Sequence, residues 1–169
     1  FRFLFVLAAL LPFSASADTL FGRVVGVADG DTVTVLDTSR QQYKIRFSGI
    51  DAPERAQPFG KRSKENLSRL VFGKDVRVEW DKKDRYGRIV GKVWVQPPDC
   101  QRCGLTLDAG QAQLVAGMAW WYRKYAGEQS PEDRARYEFE ENEALVRRTG
   151  LWRDPEPVPP WEWRRGLRN

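Results

Sequence analysis

From Leu20 onward the chain alternates apolar and polar residues in short runs, and these runs predict strands. Leu20 to Ala28 is apolar with glycines spaced through it, and Thr32 to Leu36 is β-branched with Val33 and Val35 on one face. Asp29-Gly30 between them is a tight-turn signal, so the two segments read as a hairpin. Tyr43, Ile45 and Phe47 alternate with Lys44, Arg46 and Ser48; with the first set facing a core, Arg46 points the other way. Val76, Val78 and Trp80 alternate with Arg77, Glu79 and Asp81 as a fourth strand, and Ile89 to Val95 reads as a fifth. One helical spacing interrupts them: Leu67, Leu70 and Val71 stand at i, i+3 and i+4, and Gly73 supplies the stop.

Beyond the fifth strand the period changes to that of helices. Leu107, Gln111, Leu114, Val115 and Met118 form a nearly continuous apolar stripe ended by Gly117. Ser130 ahead of Pro131-Glu132-Asp133 opens another helix, with acids at the positive end of its dipole, expected to run to about Thr149 and stop at Gly150. Its inward stripe reads as Ala135, Phe139, Leu145 and Val146, after which Leu151-Trp152 lock it onto the domain. Five short strands interrupted by a helix predict a small closed barrel. The expected fold class is α+β, a five-stranded OB-type β-barrel with about three packed helices. The domain is expected over 18–153, followed over 154–169 by a tail rich in Pro, Trp and Arg. That tail either wraps the surface through Trp161 and Trp163 or stays mobile.

The N-terminal stretch changes the context. Phe1 to Phe13 is apolar apart from Arg2 and is followed by Ala15-Ser16-Ala17, which predicts a secretory signal peptide over 1–17. Its apolar core is shorter than the roughly 20 residues that cross a bilayer. The expectation is an exported protein, secreted or periplasmic, with no stable membrane association after cleavage; an uncleaved anchor is the alternative. Cys100-x-x-Cys103 in an exported chain is expected to close a small disulfide loop, since no βαβ pattern surrounds it and zinc would need two further ligands.

Composition adds one exclusion. The formal charge of +5 is a mild excess that says little about partners, whereas the complete absence of histidine says much. Hydrolases built on His pairs, Ser-His triads or His-bound metals are excluded, so any hydrolysis must run on carboxylates, arginines and tyrosines, with or without a metal ion.

Candidate chemistry concentrates in Arg46-Phe47-Ser48-Gly49-Ile50-Asp51-Ala52-Pro53-Glu54. Pro53 holds Ala52 extended, so the segment leaves its strand as a stiff loop with Asp51 and Glu54 at its two ends. One carboxylate is placed to grip a cation and the other to handle water, although a solvated surface loop would also carry D-A-P-E. Asp29-Gly30 meets a hairpin's need for positive φ, which leaves Asp31 surplus to the turn and able to point at a ligand. In Asp84-Arg85-Tyr86-Gly87-Arg88 the arginines are either solvated turn charges or part of a site. Ala119-Trp120-Trp121-Tyr122-Arg123-Lys124-Tyr125 interleaves rings with cations, which suits stacking on bases and pairing with phosphates, or packing between the barrel and the last helix.

The ordered set Asp29-Gly30-Asp31-Thr32, Arg46 with Ile50-Asp51-Ala52-Pro53-Glu54, and Asp84-Arg85-Tyr86-Gly87-Arg88 resembles the staphylococcal nuclease (thermonuclease) family over about Leu20 to Trp163. The resemblance implies a calcium-dependent nuclease that hydrolyses DNA and RNA at the P–O5′ bond and leaves 3′-phosphate ends. It implies Asp31 and Asp51 as Ca²⁺ ligands with the backbone carbonyl of Ala52, where the family often has Thr; waters and a substrate phosphate would complete six to eight oxygens. Glu54 is implied as the general base or the group orienting the attacking water, and Arg46 and Arg88 as the phosphate clamp. Arg85, Tyr86, Tyr122 and Tyr125 are counted as substrate-binding residues, the last two at a spacing that differs from the family's by one. A monomer is expected. The alternative is a barrel of the same type that binds nucleic acid or another partner without cutting it.

Overall fold

The computed structural model describes residues 17–166, so the predicted signal segment, apart from Ala17, lies outside the described residues. In chain order, β1 (Asp18–Val27), β2 (Thr32–Leu36), β3 (Gln42–Phe47) and a two-residue β4 (Ile50–Asp51) precede helix α1 (Gly60–Val71). Then come β5 (Asp75–Lys83), β6 (Ile89–Val95), β7 (Leu107–Asp108), α2 (Ala109–Val115), β8 (Trp120–Trp121), α3 (Pro131–Val146) and α4 (Pro160–Gly166).

The five long strands pair antiparallel in the order β3-β2-β1-β5-β6, and a parallel pairing of β3 with β6 closes the ring, with Ile45 opposite Ile89 and Phe47 opposite Gly91. Closure satisfies the sheet's edges and gives the predicted five-stranded OB-type barrel. The alternating positions do fill its interior: Val24, Val33, Val35, Ile45, Phe47, Val76, Val78, Ile89, Val93 and Val95 are all buried. Gly91 lets the closing strand come close, since a Cβ there would stand 2.7 Å from the Glu79 carbonyl oxygen. Leu67 and Val71 of α1 and Ala109 and Leu114 of α2 cap this core. Cys100 and Cys103 are joined by a disulfide in the loop between β6 and β7. Among the described residues no helix is long and apolar enough to cross a membrane.

Two helical stripes differ from expectation. α2 is shorter than its apolar spacing suggests: Leu107 lies in β7, and Asp108 caps the helix by accepting hydrogen bonds from the backbone N–H of Gly110 (2.9 Å) and Gln111 (3.2 Å), while Val115 is exposed. On α3, Phe139, Leu145 and Val146 face solvent, and the inward residues are Tyr137, Glu141 and Ala144. The reason is that the polar ends of Tyr137 and Glu141 have buried partners. The Tyr137 hydroxyl donates to Asp108 Oδ2 at 2.7 Å, and Glu141 accepts from the Trp121 backbone N–H at 2.9 Å and from Arg123 Nη2 at 2.6 Å. A hydropathy pattern counts such residues as outward and so turns the stripe to the wrong face. Leu151 and Trp152 do lock this end, packing with Ala144, Phe59 and Trp120. The tail wraps the surface, ending in α4.

Candidate active site

The loop from β3 to α1 folds around the guanidinium of Arg46. Arg46 Nη1 donates to the carbonyls of Phe47 (3.0 Å) and Ile50 (2.9 Å) and meets Asp31 Oδ2 at 3.0 Å; its Nη2 donates to Asp51 Oδ1 at 2.9 Å. Asp31 reaches the same point from the β1–β2 turn. Its Oδ2 accepts the Ala52 backbone N–H at 2.7 Å, its Oδ1 accepts the Thr32 hydroxyl at 2.9 Å, and its carbonyl accepts the Phe47 N–H at 2.8 Å. Asp31 and Asp51 are only 5% and 1% exposed, so the guanidinium between them is the ion that makes their burial tolerable.

Gly30 serves this geometry differently from the expected positive φ, which it does not have. A Cβ at Gly30 would fall 1.8 Å from Ser63 Oγ on α1 and 2.8 Å from Ala52 Cβ, so the turn is pressed against the helix and the loop that follows β4 at once. Gln113 of α2 holds it there, donating to the Gly30 carbonyl at 2.7 Å and to the Ser63 carbonyl at 3.1 Å, while Asn66 donates to Gln113 Oε1 at 2.6 Å. Asp51 is fixed from the other side by the short ladder of β4 with β8, in which it pairs with Trp120 and Ile50 pairs with Trp121. The two tryptophans therefore buttress the loop. Glu54 is 40% exposed at the side chain, and its backbone N–H donates to Gln57 Oε1 at 3.0 Å.

The acids feel one another strongly. Burial, joined by the Asp31 charge, pushes the Asp29 carboxyl up to about 7. Burial also raises Asp51, against the opposing pull of Arg164 and Arg46. For Arg46 burial works downward, but the charges of Asp31, Asp51 and Asp29 outweigh it and hold its pKa above the usual arginine value. Asp31 and Asp51 share Arg46, and Asp51 and Glu54 share Arg164, so three carboxylates face two guanidiniums, with the raised Asp29 carboxyl beside them. That surplus, with an all-oxygen donor set, fits a hard cation such as Ca²⁺. Asp31, Asp51 and the Ala52 carbonyl would supply part of its shell, and among the described residues no group of three or more His, Cys, Asp or Glu side chains stands at metal-binding spacing, so water and phosphate oxygens would supply the rest.

An open cleft of about 1290 Å³ brings Asp31, Arg46, Asp51, Ala52 and Glu54 together with Arg85, Tyr86, Arg88, Tyr122 and Tyr125. Arg88 stands on the β5–β6 turn, where its Nε donates to Asp84 Oδ2 at 2.7 Å; among the described residues no hydrogen bond occupies its two terminal nitrogens. Burial opposes it, but the Arg88 side chain and the backbone N–H groups of Arg88 and Tyr86 together hold the Asp84 carboxyl below its ordinary value. Arg85 and Arg88 both lie over the exposed Tyr86 ring, at 4.9 and 5.6 Å from its centroid. Tyr122 meets Tyr125 edge-on at 4.9 Å. Sequence reasoning does not place three cleft residues: Asp29 reads as part of the turn, Trp161 as a tail residue that wraps the surface, and Arg164 has no signal beyond its W-x-x-R spacing from Trp161.

Fold and cleft define a class: an OB-type barrel whose strand ends carry an acidic, arginine-lined site for a phosphate ester. Residues 44–154 match the family model described as staphylococcal nuclease homologue. A micrococcal nuclease of Shigella flexneri is 43% identical over 150 residues, covering 88% of this chain and 82% of the relative. Protein ParB of Escherichia coli is 40% identical over 163 residues (96% and 89%), and an uncharacterized endonuclease of the same organism is 41% identical over 145 residues (86% and 85%). The chain belongs to the staphylococcal nuclease family.

Proposed function

We propose that the protein is an exported, calcium-dependent nuclease that hydrolyses DNA and RNA, acting as a monomer in the periplasm or outside the cell. The observation that carries this reading is the meeting of Asp31, Asp51 and Glu54 with Arg46 in one cleft that Arg88 also lines. A binding module would have no reason to bury surplus acids beside a phosphate-binding arginine.

Asp31, Asp51 and the Ala52 carbonyl would hold the ion, which when bound supplies Lewis-acid polarisation of the phosphate and screens its charge. Glu54, half-exposed at the cleft, accepts a proton from the attacking water or orients it toward phosphorus. Arg88 presents its two terminal nitrogens as a fork to the phosphate oxygens, and Arg46, whose terminal nitrogens brace the loop carbonyls and the two acids, adds positive charge beside them; their hold tightens as the five-coordinate phosphorus gains negative charge. The water oxygen bonds to phosphorus as the P–O5′ bond breaks, so the phosphate stays on the 3′ side and the 5′ oxygen leaves, taking up a proton from solvent to become a hydroxyl. Arg85, Tyr86, Tyr122 and Tyr125 line the path of the strand on either side. Digestion of plasmid DNA and of RNA, with calcium or with a chelator, tests the reading on wild type, Glu54→Gln and Arg88→Ala. Loss of about a hundredfold or more in rate in each variant is expected, as is loss of activity in chelator. Full activity in the chelator, or undiminished rates in both variants, would sink it.

A further inference from the structure

The chemistry above makes no use of α4, yet that helix enters the cleft at two points. Arg164 donates from Nη2 to Asp51 Oδ2 at 2.7 Å, and from Nη1 to Glu54 Oε1 at 2.6 Å and Asp51 Oδ1 at 3.3 Å. Three residues earlier, Trp161 lies flat on Tyr122, with ring centroids 5.3 Å apart and planes 7° apart. A spacing of three sets both side chains on one face of α4. The segment is anchored independently of these contacts: Gln57 Nε2 donates to the Val158 carbonyl at 2.6 Å, Pro160 is buried, and Val158 and Trp163 share an apolar pocket with Pro53, Phe59 and Leu151.

Each contact stands where a ligand of the proposed reaction would stand. A guanidinium spread across both oxygens of Asp51 and onto Glu54 takes lone pairs that a cation and an attacking water need. An indole lying parallel on Tyr122 takes a ring face that a nucleobase would use for stacking. Attachment of the tail does not rest on these two contacts alone, because its apolar residues, the Gln57 hydrogen bond and an edge-on contact of Trp161 with Trp120 at 5.8 Å also hold it. We infer that α4 is an intramolecular gate, in which Arg164 and Trp161 close the resting cleft to a divalent cation and to single-stranded nucleic acid, and binding of those ligands displaces the helix. The inference rests on the assignment of Asp51 and Glu54 to the calcium-assisted site. A third-arginine role in the phosphate clamp predicts the opposite sign, because removing Arg164 would then weaken binding.

The test uses the full chain stripped of metal, as wild type, Arg164→Ala, Arg164→Lys and Trp161→Ala, with thermal melts to show that each folds. Calcium chloride binding is read by calorimetry, and binding of a nuclease-resistant single-stranded oligonucleotide by anisotropy, both with and without calcium. Arg164→Ala is expected to bind calcium roughly 5- to 150-fold more tightly than wild type, the span of an ordinary coupling between sites, with Arg164→Lys between them. Trp161→Ala is expected to tighten the oligonucleotide in chelator, and it carries the test alone if Arg164→Ala fails to fold. By reciprocity, calcium with oligonucleotide must speed hydrogen exchange in residues 160–166 of the wild type. Equal or weaker binding in the variants, or exchange in α4 indifferent to ligand, overturns the gate. A protein that binds no calcium at all refutes the calcium assignment, while the oligonucleotide and exchange measurements still decide the gate.

Discussion

Arg46→Ala is the sharpest probe of the site, because the guanidinium holds the loop together as well as facing substrate. The change removes two hydrogen bonds to backbone carbonyls and two contacts to buried carboxylates. Removing one partner of a buried ion pair typically costs about 3–5 kcal/mol, since the other charge is left uncompensated. That range suits Asp31, whose side chain is 7% exposed and whose cation is Arg46, whereas Asp51, 1% exposed, keeps its pair with Arg164. Against a typical domain stability of about 5–15 kcal/mol the loss is large but survivable.

Urea unfolding followed by tryptophan fluorescence, in chelator and then in millimolar calcium, measures it. In chelator the variant is expected to lose about 3–5 kcal/mol, and Arg46→Lys less. Calcium is expected to restore more stability to the variant than to wild type, because it meets two acids that no longer share a guanidinium. Adding Asp31→Asn to Arg46→Ala should then recover part of the loss, a coupling that separates an orphaned charge from a lost contact. A variant within about 1 kcal/mol of wild type, well below the buried-pair range, or an equal calcium response in both proteins, refutes the claim that Arg46 neutralises these acids.

Other positions give independent checks. Gly30→Ala drives a methyl into Ser63 and Ala52 and is expected to lower stability by roughly 1–3 kcal/mol, with a disproportionate fall in cleavage rate because Asp31 moves with the turn; Gly87→Ala, at φ 77 with nothing within 4 Å, should cost about 1–2 kcal/mol from backbone strain alone. Tyr137→Phe removes a donor from buried Asp108 and is expected to cost about 1–3 kcal/mol at neutral pH in thermal melts. Burial already raises the Asp108 carboxyl while the tyrosine hydroxyl lowers it, so the variant's folded-state pKa rises further. Its deficit is full above that folded value and must narrow as pH falls from there to the wild type's own raised Asp108 pKa, below which protonation removes the buried charge in both proteins; a constant deficit contradicts the assignment. Replacing Cys100 and Cys103 together by serine should cost at most about 2 kcal/mol, as befits so short a loop, and leave the cleavage rate unchanged, since neither residue lines the cleft.

What the chain disclosed in its sequence follows from how far each residue's partner lies. Barrel strands announced themselves because one face of each is buried, so Val33, Val35, Ile45 and Phe47 repeat with period two. Asp31, Asp51 and Glu54 stood out because their turn and loop did not need them for backbone reasons, and Arg46 because alternation sent it away from the core. α3 misled because Tyr137 and Glu141 bury polar tips against Asp108, Trp121 and Arg123 on other elements, and a local hydropathy pattern carries no record of them. Gln113 supports the Asp31 turn across 83 positions through the Gly30 carbonyl and reaches across 50 to the Ser63 carbonyl. Arg164 extends the same rule: its hydrogen bonds cross 113 positions to Asp51 and 110 to Glu54. Local period exposes where a site keeps its acids but not which distant cation answers them, so the half of this site that sequence hid is the half that could govern when it opens.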